Sequence, residues 1–125
     1  MKKYVRNVVY SMFLLCLCVS CRNNGKVSLT LSESDYYYKI IAAYPVQHTA
    51  DVERYMSQKL GKESNVSFVN TYIYAEITLN DGTKFYMKNA PGNMELKLDK
   101  SKNTYAAYRK IKAFGEGLQP VLHTQ

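Results

Sequence analysis

The chain has 125 residues, the length of one domain, and carries 17 Lys/Arg against 10 Asp/Glu for a formal charge of +7. Hydrophobic residues at 46% and charged residues at 22% exclude wholesale disorder and a multi-span membrane protein. Three Cys, no Trp and 12 Tyr set the composition apart.

Lys2, Lys3 and Arg6 precede an apolar run from Val8 to Val19, broken only by Ser11. The run is shorter than the roughly 20 residues that span a bilayer. A short apolar core behind a basic start has the form of a secretory signal peptide, here over 1–20. It meets Cys18-Val19-Ser20-Cys21. This segment resembles the lipobox of bacterial lipoproteins, with Ser20 as the small residue before the modified Cys and Cys18 where Leu is usual. The resemblance covers residues 1–21. It implies cleavage before Cys21, acylation of Cys21 and a membrane as partner. Arg22, in place of Asp, implies sorting to the outer membrane, facing the periplasm. Two or three acyl chains on one Cys anchor a domain durably, since each buried methylene contributes about 0.8 kcal/mol.

Residues 21–125 keep 14 Lys/Arg and 10 Asp/Glu, and Cys21 is their only Cys. Packing without disulfides must therefore hold the fold. Residues 21–26 are the lipidated Cys and a polar tether, and 27–125 are expected to form a single α+β domain. Val27, Leu29 and Leu31 alternate with polar residues, the period of a half-buried strand. Tyr36 to Tyr44 is aromatic and β-branched, a second strand that Pro45 ends. Thr49 is placed as the N-cap of a helix over 50–60, with Asp51 and Glu53 in its first turn where the helix dipole favours acids. Val52, Tyr55, Met56 and Leu60 form its apolar stripe, and Gly61 its stop.

The alternation from Val66 to Leu79 predicts one long strand. Asn80-Asp81-Gly82 then turns the chain. A three-residue loop pairs Ile77 with Phe85 and Ala75 with Met87, keeping apolar with apolar, which predicts a left-handed Gly82. Pro91-Gly92 marks a further turn, and Met94, Leu96 and Leu98 a further strand. Ala107, Tyr108, Ile111 and Phe114 form the face of a closing helix, with Gly115, Gly117 and Pro120 read as its end and the tail to Gln125 as loosely packed. The order predicts an antiparallel sheet of about four to five strands with two amphipathic helices packed on one face.

Chemistry-bearing motifs are sparse. His48 and His123 stand at no metal-ligand spacing, and there is no G-x-S-x-G or phosphate-cradling Gly loop. Helix-end electrostatics account for Asp51 and Glu53, and a turn for Glu33 and Asp35. No metal, cofactor or catalytic residue is expected, and export removes the domain from nucleic acid. Two surface signals remain. Lys84 to Lys112 holds eight Lys/Arg against two acids, a strip whose positive field suits an acidic partner or anionic lipid headgroups. The Tyr-rich strands suit an interface, because Tyr offers rigid amphipathic contact area. Tyr72, Tyr74, Tyr86, Lys84, Lys88 and Lys97 are the candidate interface. Together these features describe a non-enzymatic lipoprotein subunit that binds another cell-envelope protein. The alternatives are an exported immunity or inhibitor protein, with Asn89 to Asn93 as a cleft-plugging loop, and a glycan-binding module.

Overall fold

A computed structural model describes residues 27–123; the leader, Cys21 and the tether to residue 26 lie outside them, as do 124–125. The strands are β1 (Ser28–Glu33), β2 (Tyr37–Ala43), β3 (Ile73–Thr78), β4 (Lys84–Ala90) and β5 (Asn93–Asp99), with helices α1 (Thr49–Leu60) and α2 (Tyr105–His123). All strand pairs are antiparallel, in the order β1-β2-β5-β4-β3. The fold is α+β. The connection through α1 carries the chain from β2 to the far edge, and the β3-β4-β5 meander then returns to pair with β2.

Alternation sorts side chains onto two faces. One row runs Leu31, Ile40, Leu96, Met87 and Ala75 across the sheet, and its neighbour runs Leu29, Ala42, Met94, Asn89 and Ile73. These residues lie on the helix side, where all but Ala75, at the edge strand, are buried or half-buried. Val52, Met56 and Leu60 of α1 and Ile111, Leu118 and Leu122 of α2 join them in the core. Apolar pairing sets the β3–β4 register as expected: Ile77 opposes Phe85, Ala75 opposes Met87, and Gly82 turns the chain at φ 93°.

Local expectations fail at four places. The strand expected over 66–79 begins only at Ile73. Residues 64–72 are irregular, and Asn70 sits at φ 53°. Its N–H donates to the Glu53 carboxylate at 2.9 Å instead of to a strand neighbour. Thr49 does not cap α1. A 3₁₀ turn over Val46–His48 leads into the helix, and the Thr49 hydroxyl accepts from Gly92 N–H at 2.9 Å. Gly61 is likewise right-handed, at φ −64°, and continues into another 3₁₀ turn.

The largest difference is α2, which runs through Gly115, Gly117 and Pro120 to His123. Two interior glycines cost a helix about 1 kcal/mol each. Burying Leu118 and Leu122, both at 0% exposure, returns about 1.5–3 kcal/mol each, so burial wins. The glycines mark close approach and not an end. A Cβ at Gly115 would lie 2.7 Å from the Tyr38 hydroxyl, and one at Gly117 would meet that of Tyr55. The Tyr55 hydroxyl donates to the Phe114 carbonyl at 2.8 Å, and their rings lie 5.1 Å apart, tying α1 to α2.

Gly115→Ala tests this approach. Alanine is the better helix former by about 1 kcal/mol, but overpacking costs about 1–3 kcal/mol. A net loss in urea denaturation is expected. Adding Tyr38→Phe, which removes the crowded oxygen, should recover most of it.

Candidate functional site

The helices cover one face of the sheet and leave the other to solvent, as antiparallel sheets permit. On the open face one row reads Ser32, Lys39, Lys97, Tyr86 and Glu76, and the next Thr30, Ile41, Glu95, Lys88 and Tyr74. Five of the six candidate interface residues, Tyr74, Tyr86, Lys84, Lys88 and Lys97, therefore share one surface and are exposed. Their convergence follows from the registers alone. Lys39 and Lys97 stand directly opposite each other, a repulsive arrangement. The Tyr37 ring lies beneath both ammonium groups, at 5.8 and 5.0 Å, where its negative π-face offsets part of that cost.

Tyr72 stands apart, just outside β3. It lines a groove of about 490 Å³ beside the start of α1, with Val46, Thr49, Glu53, Thr71 and Pro91. Three other tyrosines are core residues. Burial pushes the Tyr38 hydroxyl up to about 12 and raises those of Tyr44 and Tyr55 as well. The high tyrosine count thus divides between core and surface.

The basic strip also divides. Lys100 binds Glu33 at 2.8 Å, Lys112 approaches Glu33 at 3.7 Å, and Lys110 bridges Glu63 and Asp81. On the open face Lys39, Lys84, Lys88 and Lys97 alternate with Glu76, Glu95 and Asp99. The surface is a mosaic of both signs and not a one-sided positive field. Asn103 secures its Lys84 end, since its side chain exchanges two hydrogen bonds with the Lys84 backbone, at 2.8 and 3.0 Å.

The segment from Asn89 to Asn93 is not an extended loop. It closes β4 onto β5 through a tight Pro91-Gly92 turn, and the Asn89 side chain points into the core. There it meets the feature that sequence reasoning missed. Glu53 is only 5% exposed. Its carboxylate accepts from Asn70 N–H at 2.9 Å and from Asn89 Nδ2 at 3.2 Å, while Asn89 Nδ2 also reaches the Thr71 carbonyl at 3.1 Å. The available signal was position: Glu53 borders the apolar stripe between Val52 and Met56. Among the described residues no group of three His, Cys, Asp or Glu is placed to hold a metal ion. Cys21 lies outside them.

Lys110 hydrogen-bonded to Asp81 holds that carboxyl down at about 2, helped by hydrogen bonds from Thr83. A depressed carboxyl contributes its stability above the ordinary carboxylate range of about 4 and loses it as pH falls toward 2. Thermal melts should therefore drop across that window. Lys110→Met should flatten the drop.

The chain matches no protein-family model, no curated protein and no solved structure.

Proposed function

We propose that the protein is a small lipoprotein, tethered to a bacterial envelope membrane through Cys21, whose open sheet face binds a second envelope protein. Its role is that of a non-enzymatic structural or docking subunit. The observation that carries this is the open face itself. Tyr74 and Tyr86 are exposed beside Lys88, Lys97 and Glu95, with no helix or loop among the described residues packed over them. Large aromatics ringed by charges of both signs have the composition of an interface, where rigid rings supply contact area and charges fix register.

Two measurements test this. Intact mass of the membrane-extracted chain should match residues 21–125 plus acyl chains, and Cys21→Ala should leave the membrane fraction. Tyr74→Ala with Tyr86→Ala should abolish capture of a partner that the wild type takes from detergent-solubilised envelope, at an unchanged melting temperature. Undiminished capture by the double variant rejects the face as the binding surface.

A further inference from the structure

Charge is unevenly distributed along the strands. Val27, where the described chain begins, sits at the sheet end formed by Ser28, Ala43, Ala90 and Asn93. The connections beside Ala43, Ala90 and Ile73 gather at this end. Segments 43–50, 64–75 and 89–94 contain no Asp, Glu, Lys or Arg. The Glu53 carboxylate that borders this end is withdrawn from the surface, 5% exposed and hydrogen-bonded to Asn70 and Asn89, and Asp51 and Arg54 pair with each other at 3.0 Å. The opposite end carries Glu33, Asp35, Asp81, Lys84, Asp99, Lys100 and Lys102.

The charge-free end also bears exposed apolar side chains: Val46 at 64%, Val69 at 49% and Tyr72 at 68%. Exposed apolar groups that cluster where charge is missing mark a contact surface. The tether selects the contact. If Cys21 carries acyl chains, the six steps from Cys21 to Val27 reach at most about 20 Å when fully extended. This end is therefore held within reach of the headgroups, while the charged end stands roughly one strand length, about 20 Å, farther out.

We infer that the charge-free end rests on the surface of the membrane that holds the Cys21 lipid, with Val46, Val69 and Tyr72 at headgroup level. This rests on the lipid-anchored reading above. Tyr suits that depth because its ring is apolar and its hydroxyl polar. A small patch suffices, because the tether makes the contact intramolecular. The strands then stand away from the bilayer, and the open sheet face looks sideways along it, toward a neighbouring envelope protein.

The test uses the full chain, processed and acylated in a bacterial host. It is reconstituted into equimolar phosphatidylethanolamine and phosphatidylglycerol vesicles, with or without spin-labelled phosphatidylcholine. Val46→Cys, Val69→Cys and Lys102→Cys each supply one free thiol for an environment-sensitive dye. The dye at 46 and at 69 should emit at shorter wavelength and lose more than half its emission to the spin label, while the dye at 102 keeps it. Two exposed positions guard against one variant misfolding. Equal, weak quenching at all three in a chain whose mass shows acyl chains overturns docking alone, as does stronger quenching at 102. A mass without acyl chains overturns the anchored reading, and docking with it.

Discussion

The close approach of α2 to its neighbours organises the molecule. Gly115 lets the helix settle against Tyr38 and Ile40 of β2, and Gly117 makes room for Tyr55 of α1. A helix with side chains at both positions would stand off, and Leu118 and Leu122 would lose the burial that keeps the last turns helical. Because α2 lies close to the sheet and is hydrogen-bonded to α1 through the Tyr55 hydroxyl, both helices occupy one layer. Among the described residues the second face of the sheet is left uncovered, and the open candidate surface is a consequence of this packing.

Burial of Glu53 has the complementary effect at one end of the sheet. A carboxylate withdrawn from water needs donors, and it finds them in the Asn70 N–H and the Asn89 amide. Those bonds hold residues 70–72 against α1 and out of the strand ladder. Tyr72 is thereby turned toward the groove, away from the strand face that Tyr74 shares with Tyr86. At the other end, ion pairs from Lys100, Lys110 and Lys112 to Glu33, Glu63 and Asp81 join distant segments. They are partly exposed pairs and contribute modestly to stability. Their larger consequence is to neutralise much of the basic strip.

Most of the fold was legible locally. Period-2 alternation located β1 and β5, aromatic and β-branched content located β2, and the Val52–Leu60 stripe located α1. Apolar matching set the β3–β4 register with its left-handed Gly82. The open-face members Tyr74, Tyr86, Lys84, Lys88 and Lys97 were legible for the same reason, since strand parity dictates which side chains share a face.

What failed were positions where a local signal has two meanings. Glycine after an apolar stripe signals either a helix end or a close contact, and only the tyrosines that meet Gly115 and Gly117 decide between them. Alternation through Val66 to Thr71 resembles a strand, yet a buried carboxylate 17 residues earlier captures the Asn70 N–H and prevents pairing. An acid in a first helical turn fits dipole electrostatics whether it is exposed, like Asp51, or buried, like Glu53. By itself the sequence determined the elements, their apolar faces and the hairpin register, because these follow from side-chain periodicity within single segments. The tertiary structure alone decided the length of α2, the burial of Glu53 and the division of tyrosines and lysines between interior, ion pairs and open face. Each of those depends on partners brought from distant parts of the chain.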